Sequence, residues 1–160
     1  MKTKVAYIGV FVALALIFSY IETLIPFNVG FPGFKFGFAN IIILIMLYKY
    51  GIKETFLVGC IKSVVSGLLF SNITSVAFGL CGTLCSIIIM YFVKKSGTFN
   101  VISNSILGAV MHNVGQLVVA IFVLESFSII YYLPILLASG FFAGLIVGIL
   151  GNEMIKRIKV

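Results

Sequence analysis

The sequence predicts an all-α membrane protein, a single integral domain of residues 1–160 with six transmembrane helices, both termini cytoplasmic and an irregular outer loop between helices 1 and 2. Three observations predict it. Hydrophobic residues make up 62% of the chain and charged residues only 9%, too little polarity to build a water-facing surface. Apolar segments of roughly spanning length follow one another from end to end. With a cytoplasmic amino terminus, Lys2, Lys4, Lys49, Lys53, Lys94, Lys95, Lys156, Arg157 and Lys159 all fall on one side, leaving Lys35 outside and Lys62 within the bilayer. The net charge of +7 is thus a matter of membrane orientation and does not call for nucleic acid.

The first helix covers about residues 5–25 and ends at Pro26. Lys2 and Lys4 precede it as they would a signal peptide, but its length suits a retained span. Gly9 and Ala13 stand one turn apart, small enough for close approach of another helix, either within the chain or from a partner protein. Glu22, near the far end, is either an interfacial carboxylate or part of a polar site.

Residues 31–40, Phe-Pro-Gly-Phe-Lys-Phe-Gly-Phe-Ala-Asn, mix proline, glycine, aromatics and one cation. Proline and glycine oppose a simple helix, while four phenylalanines are too apolar for an ordinary solvated loop. The expectation is an outer loop at the membrane interface over a pocket, with the phenylalanines covering ligand or anchoring in lipid.

The second helix, about 38–50, is short, and serves only if it begins before Asn40, tilts or is shielded by neighbours. The third, 53–70, carries Lys62 in its middle, with Gly59 and Ser66 one turn away and Ser63 adjacent, a small polar stripe. The fourth, 73–93, has Ser75, Gly79, Gly82, Thr83 and Ser86 at helical spacing, a packing pattern. The fifth, 103–124, holds the polar cluster His112, Asn113 and Gln116. The sixth, 129–151, carries Pro134, expected to kink its first turns, and a seam of Gly140, Gly144, Gly148 and Gly151.

Chemistry is limited by what the chain lacks. Its acids are Glu22, Glu54, Glu125 and Glu153, with no aspartate, so paired-aspartate metal sites and two-carboxylate catalysis lose their material. Cys60, Cys81 and Cys85 sit in apolar segments without CxxC spacing and read as packing residues. A single histidine cannot furnish a zinc ligand set. No cofactor, metal or catalytic residue is expected.

A lysine near the middle of a span costs about 2.5–3.5 kcal/mol on insertion scales, so Lys62 needs a wet cavity, a ligand or an internal partner such as Glu22. His112, Asn113 and Gln116 either line that cavity or cross-link helices. The candidate binding set is Lys35, Asn40, Lys62, Ser66, His112, Asn113 and Gln116, converging on an outward cavity. Two lysines favour a small anionic ligand.

The runs Pro32-Gly33-Phe34-Lys35-Phe36-Gly37-Phe38-Ala39-Asn40 and Gly108-Ala109-Val110-Met111-His112-Asn113-Val114-Gly115-Gln116, with Gly51 after the second helix, resemble the Gx transporter family, also labelled heptaprenyl diphosphate synthase component I. Nearly the whole chain takes part. The family resembles the substrate-binding S components of energy-coupling factor (ECF) transporters, six-helix proteins that capture vitamins, metals or related precursors. The resemblance implies a coupling (T) protein and two cytoplasmic ATPases as partners, a bacterial plasma membrane setting, and Gly9 and Ala13 as the counterpart of an Ala-xxx-Ala contact surface, with glycine in first place. The alternative is a non-catalytic accessory membrane subunit of a prenyl diphosphate or quinone-related enzyme; a stand-alone carrier is a third reading. Prenyl diphosphate synthases bind magnesium diphosphate through aspartate-rich motifs, so catalysis would belong to another subunit. Without a GxxxxGK[ST] loop, ATP hydrolysis would too.

Overall fold

A computed structural model describes residues 2–24 and 37–158. They form six α-helices, α1 (Lys2–Leu24), α2 (Phe38–Lys49), α3 (Ile52–Phe70), α4 (Ile73–Ser96), α5 (Val101–Leu124) and α6 (Leu133–Arg157), with a 3₁₀ turn at Phe127–Tyr132 leading into α6. No strand occurs among the described residues. Cross-helix contacts set alternating directions. Phe11 of α1 meets Tyr50 after α2, Ser63 of α3 meets Gly79 and Thr83 of α4, and Gly115 of α5 meets Cys81 of α4.

Four segments, Val5–Leu24, Ile73–Ser96, Val101–Leu124 and Phe127–Arg157, are long and apolar enough to cross a membrane. That narrows the expectation of six equivalent spans. α3 carries Lys53, Glu54 and Lys62. α2 has 12 residues, which makes it about 18 Å long against roughly 30 Å of hydrocarbon.

α2 is the core element of the bundle. Each residue from Ile41 to Leu47 is at most 3% exposed. A helix apolar on all sides has to be covered on all sides, and α1, α3, α4 and α6 cover it. Two of the ways in which the sequence allows so short a helix are realised: it begins before Asn40, at Phe38, and it is shielded by its neighbours.

The buried ends of α2 also need partners, because the first amides and last carbonyls of a helix have none within it. The Glu22 carboxylate accepts a hydrogen bond from the Phe38 N–H. At the other end Lys94 Nζ donates to Leu47 O at 2.7 Å and stands 4.9 Å from the centre of the Tyr48 ring. An anion at the amino end and a cation at the carboxyl end both oppose the helix dipole. Lys94, expected only as a cytoplasmic rim charge, thus caps the central helix.

The α6 glycine seam closes on α5. A methyl group on Gly140, Gly144 or Gly148 would lie 3.0, 2.6 or 2.9 Å from the Cα of Val110, Ile106 or Ile102, at or inside the closest approach that side chains make. These pairs step antiparallel, four residues at a time. Gly151 instead faces α2, where an added methyl would lie 2.7 Å from Leu44 Cδ2. Pro134, expected to kink the first turns of a sixth helix beginning near residue 129, lies at the very start of the helix. It stands in the first turn of α6, where its missing N–H would have had no helical partner.

α1 is two-faced. Phe11, Ala15 and Ser19 are buried at four-residue spacing, while Tyr7, Val10, Leu14 and Ile17 are exposed. Gly9 and Ala13 belong to the exposed face, and a methyl on Gly9 would meet nothing within 4 Å. Of the two roles the sequence allowed them, close packing within the chain is absent among the described residues.

Candidate functional site

Two adjoining cavities open between the helices at the end of the bundle opposite Lys49, Lys94 and Lys156. The larger, about 730 Å³, is reached by the last turns of α1, α3 and α5, the start of α4 and the 3₁₀ turn. Its volume falls in the range of small-molecule pockets. The smaller, about 60 Å³, lies deeper, between α2, α4, α5 and α6. Glu22, Lys62, His112 and Gln116 line both. These four polar side chains, from α1, α3 and α5, form the boundary between the chambers.

Close helix packing brings them there. α5 is pressed against α4 where both lack side chains, since a methyl on Gly115 would lie 2.9 Å from Cys81 O. A methyl on Gly82 would lie 2.9 Å from both His112 Cε1 and His112 O, so the bare Gly82 makes room for the imidazole. α3 is tied to α4 by Ser63, whose Oγ donates to Gly79 O at 3.2 Å and lies 2.9 Å from Thr83 Oγ1. Ser63 is next to Lys62 in sequence, and its bonds set the rotation of α3 at that point. Glu22 is oriented by its bond to the Phe38 N–H.

Six of the seven expected binding residues lie on these chambers. Lys62, His112 and Gln116 face both, Ser66 the larger, Asn40 and Asn113 the smaller. Lys35, with the expected outer loop up to residue 36, lies outside the described residues. Gly37 has φ of 72° and precedes α2, accepting a hydrogen bond from the Asn40 N–H at 2.8 Å. This left-handed conformation suits glycine and places Asn40 in the first turn of α2.

Asn113 also has a structural duty. Its Nδ2 donates to Leu136 O at 2.7 Å and to Ser139 Oγ at 3.1 Å, cross-linking α5 to the first turns of α6. Helix bonding, one of the two roles open in the sequence, therefore accounts for its amide nitrogen.

Glu22, which the sequence left open between an interfacial carboxylate and part of a polar site, lines both chambers, as Lys62 does. The available signal was its rarity, one of four acids in the chain. Ser86 and Ser105 of the smaller chamber carried no distinguishing signal, because serine at helical spacing equally marks close packing. Among the described residues no group of three or more His, Cys, Asp or Glu side chains could hold a metal ion.

A family model described as heptaprenyl diphosphate synthase component I matches residues 11–154. The chain belongs to that family. No curated protein and no solved structure matches it. In this component I family member the matched span includes Glu22 and all six site residues that the structure describes, together with Ala13. Gly9 falls just before it.

Proposed function

We propose that this component I family member is a membrane-embedded substrate-binding subunit of an ECF-type importer, capturing a small metabolite or vitamin-like precursor from outside. The observation that carries the reading is the pair of chambers divided by Glu22, Lys62, His112 and Gln116, polar groups converging inside an otherwise apolar bundle. Polar and ionisable groups at such depth mark substrate pathways more often than they serve packing. With the cations at the opposite end taken as cytoplasmic, both termini are inside and the larger chamber faces outward, in a bacterial plasma membrane.

The exposed small-residue face at Gly9 and Ala13 supports a partner helix docking on α1, and in this reading the partner is the coupling protein, with two cytoplasmic ATPases supplying the energy. The chain itself performs no chemistry.

The family description favours a second reading, an accessory membrane subunit of a prenyl diphosphate synthase. Affinity purification of the tagged full chain from native membranes separates the two. Co-purification of a coupling protein and ATPases is the expected result. Recovery of a prenyl synthase subunit without ATPases would overturn the transport reading.

A further inference from the structure

The buried polar side chains of the bundle fall into two groups. Thr55, Ser63, Thr83 and Asn104 bond within the chain. Thr55 Oγ1 donates to Gly51 O at 2.6 Å, Ser63 Oγ bonds Gly79 O and Thr83 Oγ1, and Asn104 Nδ2 donates to Tyr48 Oη at 2.9 Å and to Met90 O at 3.1 Å. Ser19, Ser86 and Ser105 are just as deeply placed, at 8%, 5% and 3% exposed, and have no hydrogen-bond partner among the described residues. All three line a chamber, Ser19 the larger and Ser86 and Ser105 the smaller. A serine that serves helix packing turns its hydroxyl to a neighbouring carbonyl, as Ser63 does. A hydroxyl buried without a partner is costly, and in native proteins such a group meets water or a ligand.

Ser86 and Ser105 mark the inner end of the smaller chamber. Ser105 lies seven residues before His112 on α5, about 10 Å further from the boundary with the larger chamber. Ser86 stands one turn past Gly82, the residue that makes room for His112. A methyl on Gly108 would lie 3.1 Å from Ser86 Oγ and 2.6 Å from Met90 Sδ, so that hydroxyl and sulfur are neighbours on the chamber wall. Leu44 and Val147 close the same end. The chamber's volume of about 60 Å³ is the liquid volume of about two waters.

We infer that the smaller chamber is a polar subsite with Ser86 and Ser105 at its inner end, which takes one hydrogen-bonding terminal group of about two waters' size and excludes a hydrocarbon end. A molecule captured here enters polar end first, and the two serines, each able to donate and to accept, bond its deepest atoms. This deepens the substrate-binding reading and rests on it.

The test uses the dialysed full chain in nanodiscs with hydrogen peroxide as probe, a small donor and acceptor that oxidises a methionine thioether to the sulfoxide and leaves as water. Met90 is 3% exposed and lines the smaller chamber, Met46 is fully buried and lines neither, and Met154 is 38% exposed. Peptide mass spectrometry is expected to show Met90 oxidised roughly tenfold faster than Met46. Formamide is expected to slow Met90 and not Met154, whereas xenon, which enters dry apolar cavities, is expected to slow neither. Ser86→Ala combined with Ser105→Ala should slow Met90 roughly tenfold by drying the chamber, with Met46 still protected as the sign of a folded bundle. Met90 as slow as Met46 in the unmodified chain, protection by xenon, or a Met90 rate unchanged in the folded double variant would overturn the inference. Oxidation of Met90 that formamide does not slow would reduce the chamber to a water pocket and overturn it too. Failure here with ATPases still co-purifying refutes the subsite alone, whereas loss of the ATPases refutes the transport reading.

Discussion

Replacing Gly144 with alanine tests the α5–α6 seam that forms one wall of the site. The added methyl would lie 2.6 Å from Ile106 Cα, 2.9 Å from Ala109 Cβ and 3.0 Å from Ser105 O. Two of these atoms are backbone and cannot swing aside. Moving the first contact from 2.6 Å to the 3.4 Å where ordinary van der Waals contact begins opens the seam by about 0.8 Å. Asn113 Nδ2 spans the same seam at 2.7 Å from Leu136 O, so an opening of that size also weakens its bond. Overpacking of this kind costs about 1–3 kcal/mol, and alanine's better helix propensity offsets at most about 1 kcal/mol. The expected net loss is about 1–2 kcal/mol, a fall of a few degrees in Tm at about 2–4 °C per kcal/mol. Thermal unfolding in nanodiscs measures it, with Gly9→Ala as the control, because a methyl there meets nothing within 4 Å. A Gly144→Ala protein as stable as the unmodified chain, or one no less stable than Gly9→Ala, would show that α5 and α6 do not meet in this register.

Three further outcomes follow from the same geometry. Lys94→Met removes the donor to Leu47 O and the cation at the carboxyl end of α2, and should cost about 1–2 kcal/mol in the same unfolding assay; an unchanged Tm would mean that α2 needs no cap. Lys62→Ala and His112→Ala should each lower retention of the small molecule that co-purifies with the full chain, measured by untargeted mass spectrometry, at least tenfold, and normal retention by both would put the site elsewhere. Asn113→Ala should lower Tm by about 1 kcal/mol equivalent through its lost bonds to α6 while reducing retention less than Lys62→Ala does; the opposite ranking would make Asn113 chiefly a ligand group.

Much of the site was legible because polar residues in an apolar chain are conspicuous. His112, Asn113 and Gln116 lie within five residues of one helix, and Lys62 is isolated in the middle of another, so depth and helix face followed from periodicity alone. Gly140, Gly144 and Gly148 likewise announced a close seam, though not which helix they would meet. Less legible were Glu22 and Lys94. Both sit near helix ends, where a charged residue ordinarily reads as interfacial, and their use as caps depends on α2, to which neither belongs.

By itself the sequence determined the helical membrane class, the side on which the cations gather and the candidate polar groups, since hydropathy and helical period are properties of consecutive residues. Only the tertiary structure decided that the short α2 is the buried centre of the bundle, that Gly9 and Ala13 face outward, and that Glu22 joins Lys62 on one boundary. Those outcomes depend on which helices are neighbours and how each is rotated about its axis. That is settled by contacts between distant segments, such as Gly115 against Cys81 and Ser63 against Thr83, which no local pattern specifies.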